Sequence, residues 1–235
     1  MAVLLLFDID GTLISGATDA HRDAMYEALA AVHGIKPPGV AQRSVSLAGR
    51  TDPEIARVIL LAAGISAQRI DDRSDDVRDR CCQAYARLCP SDLARFVLPG
   101  VDDLLTWLSE RDDVSLGLVT GNYEAVARLK LARAGIGSYF SGGYGAFGSD
   151  AEDRASLPPI ARRRAGTVGR PHPRDKTIVI GDTPRDIACA RADGVRCVAV
   201  ASGPYPIDTL GGADRVVTGA PGLREALAAE LRAAA

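Results

Sequence analysis

The run Val3-Leu4-Leu5-Leu6-Phe7 is wholly apolar and stops at Asp8-Ile9-Asp10-Gly11-Thr12. A short apolar block ahead of a glycine turn predicts a strand buried on both faces, the pattern of a parallel sheet. Similar blocks recur at 115–119, 177–180 and 196–200, with weaker ones at 143–147 and 214–217. Helical periodicity fills the gaps at 101–110, 123–134, 157–165 and 184–192, and an Ala-rich helix follows at 221–235. Pro184 suits the first turn of its helix, where a missing N–H is harmless. Gly135 and Gly194 suit helix C-terminal positions. Strands alternating with helices predict right-handed βαβ units, hence an α/β, Rossmann-like core around a mostly parallel sheet.

That rhythm fails between residues 15 and 96. Helical stretches follow one another at 19–32, 52–63 and 71–88 with no convincing strand among them. Thr18 or Asp19 is placed to cap the first, and Thr51 or Asp52 the second. Pro37-Pro38-Gly39 reads as a connector, and Leu98-Pro99-Gly100 marks the return to alternation. The chain therefore divides into a core, residues 1–14 and 97–235, and an all-helical cap subdomain, residues 15–96, inserted after the first strand.

Composition narrows the function classes. The 235 residues are 47% hydrophobic and 25% charged, as in soluble globular proteins. A formal net charge of -2 supplies no field to recruit nucleic acid or an anionic membrane. The densest basic cluster, Arg162-Arg163-Arg164 with Arg170 and Arg174, lacks interleaved aromatics and reads as a solvated helix end. Cys81, Cys82, Cys89, Cys189 and Cys197 show no paired spacing and no clustered histidines. Reduced thiols fit better than a disulfide framework or a zinc site. The first apolar run is too short for a signal peptide or a membrane span, so a cytoplasmic protein is expected. His21 is expected to be exposed or capping, His33 a helix C-terminal cation, His172 a loop residue without a partner, and Trp107 part of the core.

The candidate chemistry gathers where strands end. One ends in Asp8-Ile9-Asp10-Gly11-Thr12, another in Thr120-Gly121-Asn122, and a third in Gly181-Asp182-Thr183-Pro184-Arg185-Asp186. Open α/β sheets bind ligands outside these C-terminal ends. If the three strands adjoin, carboxylates, a hydroxyl and helix-start N–H groups meet in one crevice. Asp8 and Asp10 side by side need a cation or a shared proton, and an oxygen-rich acidic cluster suits Mg²⁺. Thr120 and the N–H groups of Gly121 and Asn122 are placed to hold phosphate oxygens.

With its DxDGT, T-G-N and GDxxxD motifs in this order and spacing, the chain resembles the haloacid dehalogenase superfamily of phosphohydrolases, especially the phosphoglycolate-phosphatase-like branch. The resemblance covers nearly the whole length, helical insert included. It implies that Asp8 attacks phosphorus and carries the phosphoryl group. Asp10 would protonate the leaving oxygen and then activate water. Asp8, the backbone carbonyl of Asp10, and Asp182 would ligate Mg²⁺, with Asp186 holding a metal-bound water or fixing Asp182. Thr120 would bind the transferring group. An Asp in a helix's first turn also favours the helix dipole, which is the plainer reading of Asp186.

One family element differs. The usual lysine followed closely by proline is missing from Asp150-Ala151-Glu152-Asp153-Arg154-Ala155-Ser156-Leu157-Pro158-Pro159. Arg154 is favoured as its substitute, with a planar fork in place of a point charge. Lys176 is the rival, at the wrong end of its strand. The insert resembles caps that close over active sites, and Arg50 in Gly49-Arg50-Thr51-Asp52 would pair with a substrate phosphate or carboxylate. The expectation is a Mg²⁺-dependent phosphomonoesterase acting on a small phosphorylated metabolite. A sugar phosphomutase is the alternative. Asp10 argues against a dehalogenase, and the insert argues against a receiver that merely accepts phosphate. Substrate and oligomeric state stay open.

Overall fold

The computed structural model describes residues 2–35 and 47–234. Six strands form one sheet: β1 (Val3–Phe7), β2 (Val114–Thr120), β3 (Gly145–Phe147), β4 (Thr177–Gly181), β5 (Arg196–Val200) and β6 (Arg215–Val217). Every pairing is parallel, and the order is β3-β2-β1-β4-β5-β6. β1 lies between β2 and β4, with Leu5 opposite Leu116 on one side and Ile178 on the other. The strand order reverses at β1, which makes the crevice above it the topological switch point.

Helices α1 (Asp19–His33), α2 (Asp52–Ala62), α3 (Ala67–Asp72) and α4 (Ser74–Leu88) follow β1. The alternating part carries α5 (Val101–Ser109), α6 (Glu124–Arg133), α7 (Leu157–Ala165), α8 (Pro184–Asp193) and α9 (Gly219–Ala234). Val3, Leu5 and Phe7 belong to one buried cluster with residues of α1, α5, α6 and α9. Leu4 and Leu6 face the other way, into a cluster with α7 and α8. Both faces of β1 are therefore covered, and this is why its sequence shows no polar alternation. Truncating Leu5 to Ala should cost about 2–5 kcal/mol, through lost burial and the cavity left behind.

Several elements differ from the sequence reading. The single helix at 71–88 is two. Ser66 caps α3 by accepting from the Arg69 N–H, and Ser74 donates back to the Asp71 carbonyl at 3.1 Å. Asp75 and Asp76 then favour a fresh helix N-terminus after Arg73. Thr18 stands at the α1 N-cap but makes no side-chain bond there, whereas Thr51 caps α2 by accepting from Glu54 N–H at 3.2 Å. The Pro37-Pro38-Gly39 connector lies outside the described residues.

The charged expectations also need correction. Arg162 is 5% exposed and grips Asp193 of α8 with two prongs of 2.6 and 2.9 Å, so it is a buried tie between α7 and α8. His172 is buried and has a partner, the Lys176 carbonyl at 3.2 Å. His33 is buried rather than cationic: burial, with Arg69 and Arg73 nearby, pushes its pKa below the ordinary value. Trp107 does pack against the main core, half-buried under the guanidinium groups of Arg111 and Arg224. All five cysteines are free thiols. Among the described residues, no helix is long and apolar enough to cross a membrane.

Candidate active site

Because β2, β1 and β4 are neighbours, their three polar ends face one crevice. The Asp8 N–H extends the ladder by donating to the Ile180 carbonyl at 2.8 Å. Gly11 then turns the chain with φ +89°, and a Cβ there would meet Asp182 Oδ2 at 2.2 Å. Only glycine accepts both that dihedral angle and that approach. Thr12 follows and donates to Asp182 Oδ1 at 3.0 Å. Oxygens of Asp8, Asp182 and Asp186 come within 4.8 Å of one another, and all three residues are buried.

Arg154 belongs to a short 3₁₀ turn, Arg154–Ser156, just before α7. It is buried against this cluster, bonded to Asp186 Oδ1 and 3.2 Å from Asp8 Oδ1. Lys176 instead precedes β4, at the opposite end of that strand from the crevice. Asp186 Oδ2 accepts from the Thr183 N–H at 3.0 Å and from its hydroxyl at 2.7 Å, closing a capping box on α8. Both Asp186 oxygens are thus engaged by protein groups, although the sequence reading placed this residue in the metal set. Asp182 Oδ2 is the contrast, buried with no hydrogen-bond partner among the described residues.

Burial pushes Asp8 up to about 6, with Arg154 opposing the shift and Asp186 and Asp10 adding to it. Asp182 is pushed up to about 8, by burial first and then by Asp8 and Asp186. Although burial pulls against it, the charges of Asp186 and Asp8 hold the Arg154 guanidinium well above its ordinary value. Crowded hard oxygens, raised acids and one orphaned carboxylate oxygen are the donor set a divalent cation relieves.

The second wall is built differently. Burial favours the neutral form of Asp10, yet Lys130 above all, with His21 and Asn122, outweighs it and holds the carboxyl below the ordinary value. Lys130 Nζ lies 2.8 and 2.7 Å from the two Asp10 oxygens, and Asn122 Nδ2 donates to Asp10 Oδ2 at 2.9 Å. The sequence reading missed Lys130. Its signal was the buried face of α6, where Val126, Ala127, Lys130 and Leu131 fall at helical spacing.

The α2 N-terminus closes over this wall. Asp52 N–H donates to the Gly121 carbonyl at 2.7 Å, and Asp52 Oδ2 accepts from the Tyr123 N–H at 2.7 Å. A Cβ on Gly121 would lie 2.2 Å from the Arg50 carbonyl, so the T-G-N glycine is one place where the helical insert touches the sheet end. His21 is not exposed: its Nε2 sits 3.1 Å from Asp52 Oδ2. Arg50 bonds Glu54 at the rim. These groups enclose a cavity of about 620 Å³ whose floor holds Asp8, Asp10, Thr120 and Asp182, and whose sides include Met25 and Ile55.

A sequence profile for haloacid dehalogenase-like hydrolases matches residues 5–191. The phosphoglycolate phosphatase of Pseudomonas fluorescens (strain Pf0-1) is 30% identical over 207 residues, spanning 85% of this chain and 70% of its own length. A hydrolase structure from Pseudomonas syringae superposes with a TM-score of 0.62 at 24% identity, covering 96% of this chain and 97% of that one. The β-phosphoglucomutase of Clostridium difficile superposes with a TM-score of 0.69 at 17% identity, covering 99% and 98%. At such identities the structural likeness is one of fold.

Proposed function

The chain belongs to the haloacid dehalogenase-like hydrolase family, and from that premise we propose that it is a Mg²⁺-dependent phosphomonoesterase using Asp8 as nucleophile on a small phosphorylated metabolite. The observation that carries the reading is Asp182 Oδ2, buried at the cavity floor beside the raised carboxylates with no partner among the described residues. Asp8, Asp182 and the Asp10 carbonyl are the ligands we assign to Mg²⁺. When bound, the ion neutralises these carboxylates and the phosphoryl oxygens. Asp186 braces Arg154 and caps α8 rather than ligating directly.

Asp8 Oδ attacks phosphorus while the ester oxygen leaves and takes a proton from Asp10, giving an aspartyl-phosphate and an alcohol. Water then attacks phosphorus and gives its proton to Asp10, releasing inorganic phosphate and free Asp8. Lys130 and Asn122 favour ionised Asp10, the form that accepts this proton. The protonated form used in the first half is the less stable of the two. Arg154 holds Asp8 in place, and Thr120 takes a phosphoryl oxygen.

Residues 15–96 serve as a cap that excludes water, with Arg50 facing the non-reacting end of the substrate. The phosphoglycolate phosphatase relatives support a small anionic substrate. Hydrolysis of an aryl phosphate with Mg²⁺, and after chelation, tests the reading. Turnover that stops on chelation is the expected result. Stoichiometric phosphorylation without turnover would make the chain a receiver, and transfer to a sugar instead of water would make it a mutase.

A further inference from the structure

Lys130 projects from the last turn of α6 and is 0% exposed. Its Nζ reaches Asp10 Oδ1 at 2.8 Å, Asp10 Oδ2 at 2.7 Å and Asn122 Oδ1 at 3.0 Å. An ammonium has three N–H donors and no acceptor, so these contacts use all it has. The Asn122 atom facing Lys130 must therefore be the carbonyl oxygen, which fixes the orientation of the amide. Its Nδ2 then supplies both remaining donors, to Asp10 Oδ2 and to Thr120 Oγ1, each at 2.9 Å. The Asn122 backbone N–H also aims at Thr120 Oγ1, at 3.4 Å. Thr120 Oγ1 is an acceptor in both of these bonds. Among the described residues no protein group takes its proton, and the hydroxyl borders the cavity.

We propose that Lys130 is a positioning residue that sets the direction of the hydrogen-bond chain Lys130–Asn122–Thr120, so that Thr120 presents its O–H to a phosphoryl oxygen. The inference rests on the phosphomonoesterase reading. The same ammonium clamps Asp10 beside that hydroxyl. Without it, Asp10 Oδ2 alone orients the Asn122 amide, and when Asp10 carries its proton the amide can turn over and offer Oδ1 to Thr120. The hydroxyl proton then points inward, and a phosphoryl oxygen meets a lone pair instead of a donor. A role in packing alone does not account for the charge, because an aliphatic side chain of this length would fill the space without desolvating an ammonium.

The test is the inhibition of aryl phosphate hydrolysis by inorganic phosphate. In Lys130→Met, kcat should fall and the phosphate inhibition constant should rise about tenfold, one lost hydrogen bond to a charged group. Thr120→Val should raise the constant similarly. The double variant should be no worse than either single, because both changes remove one interaction. A folding defect that only reduces the active fraction lowers kcat and leaves the inhibition constant alone. If Lys130→Met fails to fold, Asn122→Leu removes the amide while leaving the Lys130–Asp10 pair, and must show the same rise and the same non-additivity. An unchanged constant in the folded variant, or additive losses with Thr120→Val, overturns the inference. A wild-type chain without phosphate-ester hydrolysis sinks the parent reading and this one together. An active wild type whose phosphate binding ignores Lys130 and Asn122 sinks this one alone.

Discussion

Asp8 and Asp10 leave the same strand two residues apart, yet the two walls of the crevice treat them in opposite ways. Asp8 shares its wall with Asp182 and Asp186, and burial raises it to about 6 despite Arg154. Asp10 is held below the ordinary value against its burial, because the Lys130 ammonium sits on its carboxylate, with His21 and the Asn122 amide adding to the effect. The difference lies in how each cation is shared. Arg154 is divided between Asp186 and Asp8, whereas Lys130 gives two of its three contacts to Asp10. One wall is left short of positive charge and suits a metal. The other is electrostatically complete and suits proton transfer.

Substitutions at the two walls should separate these roles. The largest effect belongs to Asp8→Asn, which removes the nucleophile and should lower kcat by at least about 10⁴-fold. Detectable phospho-enzyme in that variant would move the nucleophile elsewhere. Next, Asp10→Asn should lower kcat by about 10²–10⁴-fold while leaving Mg²⁺ affinity nearly unchanged, since its proposed metal contact is through the backbone. A large affinity loss in a metal titration would join the two walls again. Arg154→Ala should cost about 10²–10³-fold in kcat/KM, whereas Lys176→Ala should change it by less than about threefold. Equal losses would take Arg154 out of the site.

The smallest effect is a dependence on pH. Asp8 and Asp182 sit above the ordinary 3.8, so from there up to about 6 for Asp8 and about 8 for Asp182 the folded chain keeps protons that the unfolded chain has released. The contribution of these groups to metal-free stability therefore falls as pH rises through that window. Mg²⁺ competes with the same protons, and its stabilisation should grow in the same direction. Thermal melts should show a larger rise in Tm on adding Mg²⁺ at about pH 9 than at about pH 5. The opposite trend would separate these two acids from the metal.

The sheet was legible because its strands are buried on both faces and so appear as unbroken apolar runs ending in polar turns. The edge strands are short and their limits shifted, with 143–147 reduced to Gly145–Phe147. Asp8, Asp10, Thr120 and Asp182 were legible from their place at strand ends, and the structure brings Arg154 to the same floor. Lys130 was not, because a lysine within a helix ordinarily reads as solvent-facing and its acceptors lie 120 and 8 residues away in sequence. His21, His33, His172 and Arg162 were misread for the same reason: burial of a polar side chain is decided by tertiary neighbours that no local period encodes. Arg73 was overlooked as a break because local capping, not apolar spacing, ends α3 there.

The central position of β1 also governs how the chain reaches its native state. Val3 must wait for Val114 and Leu4 for Thr177, so the middle of the sheet closes only through very distant partners. Such high contact order predicts slow assembly, because loop entropy is lost before the central pairings form. During synthesis five apolar residues stay uncovered until residues 177–180 have emerged, which makes this segment a natural target for a chaperone and a place for nascent chains to stick together.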